Sequence, residues 1–345
     1  MTRLSGWGRT PEAETRLRTA RSAADVARAI AEGPLIARGN GRSYGDPAVG
    51  PNLTLSMRGM DRMLSFDPET GTLVAEAGVL LADIIETFLP RGWFPAVTPG
   101  TKFVSLGGAI AADVHGKNHH VDGSFRAFVD WVDVMEADGT VRRVVKGDNQ
   151  GDFEAVCGGM GLSGIILRAA VRLRPVESGW IVQETIPAPT LAAAIDAFEA
   201  RQDAPYSVAW IDCTARPPAL GRSLVMFGRH ARPGDLTQDR RRRPFEVPRR
   251  RALTVPLDAP GFALNRLSVG LFNALYWRMG LRKSGEQIVD WDSYFYPLDA
   301  IRDWNRIYGR RGFYQFQCVL PLATAREGLA RMLADVSSAG SPSFL

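Results

Sequence analysis

The chain has 345 residues, enough for two domains, and its 45% hydrophobic and 23% charged residues are typical of a globular protein, which excludes disordered and fibrous classes. Its formal charge of +5 comes largely from one run over residues 239–251, DRRRRPFEVPRRR, so the rest of the chain is near neutral and no nucleic-acid partner is predicted. The three cysteines are too far apart for a zinc motif. No apolar run is long enough for a membrane span and no signal peptide begins the chain, so we expect a cytoplasmic protein.

The predicted elements of the first half are short helices and strands. A serine-capped helix begins after Ser22 and ends at Gly33, and the apolar run PLIAR that follows is typical of a buried strand. NLTLSM and TLVAEAG indicate strands, and LLADIIETFLPRG indicates an amphipathic helix. A hairpin is predicted around Asp138-Gly139, and IILRAAVRLRP forms a strand that ends at Pro175.

The pattern changes after residue 176. Strand-like runs separated by helices follow, WIVQETI, YSVAWIDC, SLVMFG and FYQFQCVLP, and they predict an antiparallel sheet in an α+β domain. TAREGLARMLADVSSAG predicts an amphipathic helix, and the closing letters SFL are typical of the start of a strand. We therefore predict an α+β protein with one domain over residues 6–176 and a second over 177–345, the second incomplete as given.

The first of three glycine clusters is ARGNGRSYGD, from Ala37 to Asp46. A strand that runs into Gly39, Gly41 and Gly45 can turn sharply and present consecutive backbone N–H groups to a phosphate. A plain surface turn explains the same residues equally well.

The second cluster is TPGTKFVSLGGAIAADVHGKNHH, from Thr98 to His120. Ser105 occupies a capping position, and Gly107-Gly108 open a short helix of small residues whose N-terminus can approach a pyrophosphate. The alanines that follow leave room for a large flat ligand.

Three of the four histidines lie at the end of the second cluster. His115 and His119 have the four-residue spacing of a zinc pair, but Gly116 and Asn118 interrupt the helix that such a pair needs. No metal site is predicted, and His119 and its neighbour His120 are assigned to packing or to the surface.

The third cluster, GGMGLSGII, matches the dinucleotide-binding pattern G-x-G-x-x-G through Gly159, Gly161 and Gly164. In a Rossmann domain those glycines open a helix, whereas here they precede an alternating strand. The cluster is therefore interpreted as a loop that passes close to a ligand. Three such loops indicate one extended phosphate-containing cofactor, and a flavin dinucleotide has that length.

The three clusters, in this order and spacing, resemble the FAD-binding domain of the vanillyl-alcohol oxidase and p-cresol methylhydroxylase family. The resemblance covers residues 6–345 and includes HGKNHH and, in the second domain, WNRIYGRRGFYQFQCVLP. It implies a p-cresol methylhydroxylase-type FAD-binding domain of two subdomains, followed by a substrate-binding domain. Because the family continues beyond SPSFL and carries a catalytic lysine there, the C-terminal part of the second domain is expected to be missing.

The resemblance also implies which residues bind FAD. The first loop would cradle the pyrophosphate, the second would follow the diphosphate and ribityl chain to the isoalloxazine, and the third would contact the adenine half. The residues so assigned are Ala37, Arg38, Gly39, Asn40, Gly41, Arg42, Ser43, Tyr44, Gly45, Asp46, Pro47, Gly100, Thr101, Ser105, Leu106, Gly107, Gly108, Ala112, Asp113, Val114, His115, Gly116, Asn118, Gly164, Ile165 and Ile166. Many relatives tether FAD through a first-loop histidine or a second-loop cysteine, and neither stands at the matching places here, so non-covalent FAD is predicted.

The chemistry implied by the resemblance is oxidation of the 2'-hydroxyl of a polyprenylphosphoryl-β-D-ribose to the 2'-keto sugar, with hydride passing to the flavin N5. This step is the first half of an epimerisation that gives an arabinose donor for cell-wall or envelope glycans. The residues that match positions near flavin and substrate are Tyr44, His115, Lys117, Gln315 and Gln317. Lys117 would suit a phosphate or an anionic reduced flavin, although an ordinary surface lysine would look the same.

Partners and alternatives follow from the same resemblance. A short-chain-type reductase is expected to act on the keto product, and the substrate is a lipid-linked sugar phosphate. The alternative within the fold is an FAD-dependent oxidase of a free sugar alcohol or aldonolactone. A basic binding module without catalysis is a further alternative, which bound FAD would exclude.

The basic run precedes GFALNRLSVGLFNALYWRMG, in which apolar residues recur at helical spacing: Leu264, Leu267, Leu271, Leu275 and Met279. Arginines beside such a helix could bind an anionic bilayer through residues 240–280, which would make the protein peripheral at the inner membrane. Alternatively the helix packs on the second domain and the arginines form a solvated loop.

Overall fold

The computed structural model describes residues 1–248 and 250–339, and over those residues the chain mixes strands and helices. The strands are β1 Thr2–Ser5, β2 Glu12–Thr19, β3 Ile36–Arg38, β4 Leu53–Ser56, β5 Met63–Asp67, β6 Thr72–Glu76, β7 Trp93–Pro95, β8 Val129–Met135, β9 Val141–Val145, β10 Ile165–Pro175, β11 Trp180–Ala188, β12 Tyr206–Ile211, β13 Ser223–His230, β14 Leu253–Thr254, β15 Gly285–Asp290 and β16 Ile301–Arg302. The α-helices are α1 Ala23–Ala31, α2 Leu81–Phe88, α3 Leu106–Ala111, α4 His119–Asp122, α5 Gln150–Val156, α6 Leu191–Ala200, α7 Gln238–Arg242, α8 Arg266–Arg282, α9 Trp291–Phe295 and α10 Leu322–Ala339. Arg249 of the basic run and the SFL segment expected to begin a strand lie outside the described residues.

The first sheet has the order β1-β2-β4-β3, in which β2, β4 and β3 run parallel and β1 is antiparallel. Helix α1 packs on it through buried Val26 and Ala29, and it begins as predicted, because the Ser22 side chain accepts a hydrogen bond from the Asp25 amide. The expectation that PLIAR is buried was wrong in part. Its strand, β3, is the edge of the sheet, so Ile36–Arg38 are only half-buried.

The second sheet has the order β5-β6-β10-β8-β9, with β7 paired to another part of β10, and all its pairings are antiparallel. The predicted hairpin is confirmed as β8 and β9, and Gly139 adopts the positive φ (+85°) that its turn requires. Helices α2 and α3 cover the sheet in one core with buried residues of β6, β8 and β10. This core carries the second glycine cluster at its edge.

The third sheet, β12-β13-β11-β15, is antiparallel throughout, as the sequence predicted for the second half. Helix α6 packs on it through Ala194, against Val225 and Phe227 of β13. The change of sheet falls between β10 and β11, and the domain boundary at residues 176 and 177 stays a prediction.

One predicted strand is absent from the described residues. FYQFQCVLP, residues 313–321, is irregular and pairs with none of the described strands, although α10 follows it as expected. Gln315 and Gln317 line a cavity and Tyr314 and Phe316 are 77% and 80% exposed, but residues 314–319 are all exposed, so the segment has no buried face. A strand needs a neighbour for its backbone N–H and C=O groups, and local alternation cannot supply one.

An aromatic cluster joins the second and third sheets. Phe94 of β7 packs with Phe295 and Tyr296 of the α9 segment, and Ile85 of α2 and Ile181 of β11 complete the contact. The Tyr296 hydroxyl is also hydrogen-bonded to the Thr98 hydroxyl. These buried contacts fix the second glycine cluster against the C-terminal half of the chain.

Candidate active site

All three glycine clusters line one cavity of about 580 Å³, a size typical of small-molecule sites. Its wall is completed by the irregular segment 313–321 and by residues 298–304 of the C-terminal half. The sequence-predicted residues that line it are Ala37, Gly39, Asn40, Gly41, Arg42, Ser43, Tyr44, Pro47, Gly100, Thr101, Ser105, Gly107, Gly108, Ala112, Val114, His115, Gly164, Ile166, Gln315 and Gln317.

The other predicted residues frame the cavity without lining it, and they are Arg38, Gly45, Asp46, Leu106, Asp113, Gly116, Lys117, Asn118 and Ile165. Arg38 donates to the carbonyls of Ser5 and Ala48, and buried Asn118 donates to the Ala96 carbonyl. These hydrogen bonds hold the loops in place, so the side chains act on the shape of the cavity rather than on its contents.

The first two glycine clusters approach each other more closely than side chains would allow. A Cβ on Gly39 would overlap the Ser105 hydroxyl, which caps α3 by accepting from the Gly108 amide at 3.3 Å. A Cβ on Gly107 would meet the Ala77 methyl at 2.8 Å. Packing therefore requires both glycines, and both line the cavity with backbone alone.

Arg42 is the cation of the cavity wall. Its guanidinium stacks on the Trp7 ring at 3.8 Å, and its buried Nε has no hydrogen-bond partner in the described part of the chain. Burial lowers the pKa of Arg42, but a guanidinium keeps its charge in proteins. A buried cation with an unused donor is a place for an anion.

His115 lies where the second cluster meets segment 313–321. The Gln317 amide nitrogen is 3.2 Å from His115 Nε2, and the His119 ring packs at 5.5 Å. Burial, and then the neighbouring His119, lower the pKa of His115, while Asp113 opposes them. The imidazole is therefore neutral at neutral pH and able to accept a proton.

Lys117 points away from the cavity. Its ammonium donates to the Tyr294 carbonyl and lies 4.2 Å from the centroid of the Tyr294 ring, between the two halves of the chain. Burial lowers the pKa of Lys117 to about 7. The role of Lys117 beside flavin and substrate stays a prediction. In this structure its amine contacts Tyr294 of the second half of the chain.

The other wall residues were not among the predicted site residues. Of these, Pro99, Val104, Ala111, Met160 and Gly161 lie within the second and third glycine clusters, and Trp7, Ala48, Met57, Ala77, Leu298, Asp299 and Trp304 lie outside all three. Asp299 accepts from the Thr101 hydroxyl (2.7 Å) and the Lys102 amide (2.9 Å), and burial raises its pKa. The seven residues outside the clusters come from distant parts of the chain. The two glycines around Trp7 were the one local signal, since they allow close packing on both sides.

Comparisons with known proteins agree with this geometry. Residues 11–145 match the FAD binding domain model. Decaprenylphosphoryl-beta-D-ribose oxidase of Mycolicibacterium smegmatis is 36% identical over 99% of this chain and 76% of its own length. An uncharacterized protein of Streptomyces coelicolor is 35% identical over 59% of this chain and 58% of its own, and mouse L-gulonolactone oxidase is 29% identical over 46% and 35%.

The chain is an FAD-binding oxidoreductase. More narrowly, the chain belongs to the family of decaprenylphosphoryl-beta-D-ribose oxidase.

FAD is the cofactor, and the residues of the cavity fit it. The bare backbone at Gly39 and Gly107 gives a diphosphate close approach, and the unused Nε of Arg42 is a donor for its charge. His115 is the one histidine among the described residues that line the cavity, and no cysteine is found among them.

Proposed function

We propose that this protein oxidises the 2'-hydroxyl of a polyprenylphosphoryl-β-D-ribose to the 2'-keto sugar. The observation that carries the proposal is the 36% identity to decaprenylphosphoryl-beta-D-ribose oxidase, which extends over 99% of the chain and so includes both halves of the cavity wall. When bound, FAD supplies the two-electron oxidant that takes the hydride from the sugar carbon.

The residues of this chain bind and orient the sugar and move its proton. Neutral His115 accepts the proton of the 2'-hydroxyl at Nε2, where the sugar hydroxyl takes the place of the Gln317 amide that donates to this nitrogen in this structure. Gln315 lines the same wall and offers an amide to the other hydroxyls. Tyr44, whose pKa burial raises, stays a neutral phenol and lines the cavity beside Phe313.

We further propose that FAD is held without a covalent bond. Arg42 and Ser43 stand in the first loop, and the described lining residues offer no cysteine. Acid precipitation should therefore leave the yellow cofactor in the supernatant. Flavin that stays with the pellet would contradict the proposal and point to His115 as the attachment site.

Helix α8 supports a proposed peripheral contact with an anionic membrane. Leu267, Leu271, Leu275 and Met279 are 84%, 64%, 50% and 51% exposed, and Arg278 lies exposed among them. Among the described residues no helix has the length and apolar character for a transmembrane span. A half-exposed apolar face with cations on it is suited to the bilayer surface, where a lipid-linked substrate is found.

Not all of the basic run takes part in this contact. Arg240 stacks on Trp180 at 3.9 Å, Arg241 donates to the Pro233 carbonyl, and Arg250 donates to the Tyr296 carbonyl. These three arginines hold their own segment to the fold. The cations that we assign to the membrane are Arg278 and Arg282 of α8, which are exposed on the leucine face.

The direct test is product analysis with a short-chain polyprenylphosphoryl-β-D-ribose. We expect a 2'-keto product, and addition of a short-chain-type reductase should then give the arabinose epimer. Oxidation of a free sugar alcohol or aldonolactone instead would favour the alternative, which the similarity to mouse L-gulonolactone oxidase over 46% of the chain supports.

A further inference from the structure

The turn Gly6–Arg9 precedes the region that matches the FAD binding domain model, residues 11–145, yet its Trp7 lines the cavity. The Trp7 amide donates to the Ser43 carbonyl at 2.6 Å, and the Trp7 ring lies under the Arg42 guanidinium. A Cβ on Gly6 would overlap the carbonyl oxygens of Ser43 and Gly45, so only glycine permits this contact. The turn is built against the first glycine cluster.

The other side of the same turn is built against the C-terminal half. Asn305 donates to the Trp7 carbonyl (2.9 Å), and the Phe313 amide donates to the Gly8 carbonyl (2.9 Å). Arg9 forms an ion pair with Asp258 at 2.8 Å. Trp7 is therefore clamped from both sides, and its ring has little freedom to move away from Arg42.

The charge balance at Arg42 favours an anion from outside the chain. Asp299 and Asp303 are the carboxylates that act on it, but Asp299 is engaged by Thr101 and Lys102, and no ion pair to Arg42 is formed among the described residues. An aromatic face stabilises a guanidinium in place without using its N–H groups. Those groups remain available to a phosphate.

We propose that Trp7 is a positioning residue, which holds the Arg42 guanidinium at the cavity wall so that it binds a phosphate group. The phosphate belongs either to FAD or to a phosphorylated sugar substrate. Only the second source rests on the proposed function.

The test compares FAD with riboflavin, which carries the same ring system without phosphate. Apoprotein is titrated with each, and binding is followed by the change in flavin fluorescence. We expect Trp7→Leu to weaken FAD binding about tenfold and to leave riboflavin binding unchanged. Trp7→Phe keeps an aromatic face and should recover most of the FAD affinity.

Two controls separate positioning from general damage. Arg3→Ala removes an exposed ion pair with Glu12 in the same N-terminal segment and leaves the contacts of the turn in place, so the ratio of FAD to riboflavin affinity should stay at the wild-type value. In an Arg42→Gln background, Trp7→Leu should change FAD affinity by less than about twofold, because the group that it positions is already gone.

The second arm tests the substrate. If Trp7→Leu leaves FAD affinity unchanged but raises KM for a polyprenylphosphoryl-β-D-ribose about tenfold at constant kcat, the phosphate is that of the substrate. Equal weakening of FAD and riboflavin, or no change in either FAD affinity or KM, overturns the proposal. The flavin titrations need no turnover, so they decide the cofactor arm even if the protein does not oxidise this sugar.

Discussion

At the scale of single residues, the contact between Gly39 and Ser105 shows why two distant glycine clusters occur together in this sequence. The capping hydroxyl of α3 occupies the space that a Gly39 side chain would need. The cluster that could have been a plain surface turn is therefore part of the cavity wall, and Gly39 is required by the approach of the second cluster.

Replacement of Gly39 by alanine tests this contact. The new methyl group would displace Ser105 and uncap α3, at a cost of about 1–3 kcal/mol. We expect FAD affinity to fall about tenfold or more in a fluorescence titration. Gly45→Ala is the matched control, because its methyl would make an ordinary contact with Pro47 at 3.5 Å. Equal losses in the two variants would contradict the steric argument.

His115 sets the expected pH dependence. Its pKa is lowered by burial and by His119, so the base form persists to lower pH than in a free imidazole, and activity should fall on the acid side only below the ordinary histidine range near 6.5. His119→Gln removes the like-charged neighbour, which should raise the pKa of His115 and move the acid limb of kcat/KM to higher pH.

His115→Gln should lower kcat about a hundredfold with FAD still bound. An acid limb that His119→Gln leaves in place would contradict this assignment.

At the scale of elements, the sequence predicted those whose signals are local. The cap at Ser22, the Asp138-Gly139 turn and the alternation in IILRAAVRLRP each specify a hydrogen bond or a face within a few residues, and α1, the β8–β9 hairpin and β10 follow from them. The alternation in FYQFQCVLP is as clear, but its pairing partner is not local, and the described segment is irregular.

The same reasoning explains what was missed at the site. Asp299 and Trp304 reach the cavity through tertiary contacts that no local pattern encodes, and for Trp7 the only local signal was the pair of glycines beside it. For Lys117 the resemblance predicts a role beside flavin and substrate, which stays a prediction, and the contact of its amine with Tyr294 could not be predicted from the motif.

Helix α8 has one face packed on the fold and one exposed apolar face, and its sequence pattern allowed either arrangement. Val269 and Asn273 are buried against the third sheet, with Asn273 bound to Asp212 at 2.7 Å, while the leucine face is exposed.

Leu271→Glu should therefore reduce retention on anionic vesicles about tenfold without lowering the melting temperature. Val141→Glu, at a site 52% exposed on β9, controls for lost apolar surface and should bind vesicles like the wild type. Equal retention of all three proteins would exclude α8 as the contact.

At the scale of the whole molecule, the cavity lies between two halves of the chain. Glycine loops of the first half supply one wall, and residues 298–304 and 315–317 of the second half supply the other. The buried contact of Phe94 with Phe295 and the Asp299 hydrogen bonds hold these walls together. In the proposed function the sugar therefore contacts both halves, His115 and Tyr44 of the first and Gln315 of the second, whereas the cofactor contacts mainly the first.

One measurement tests the proposed oxidation most directly. FAD-loaded protein is mixed without oxygen with a polyprenylphosphoryl-β-D-ribose, and the flavin absorption band is followed. We expect this sugar to bleach the band in a single turnover, and we expect an aldonolactone and the corresponding arabinose epimer to leave it unchanged. Bleaching by the aldonolactone, with the phosphorylated ribose inert, would contradict the proposed substrate and assign the protein to the oxidases of free sugars.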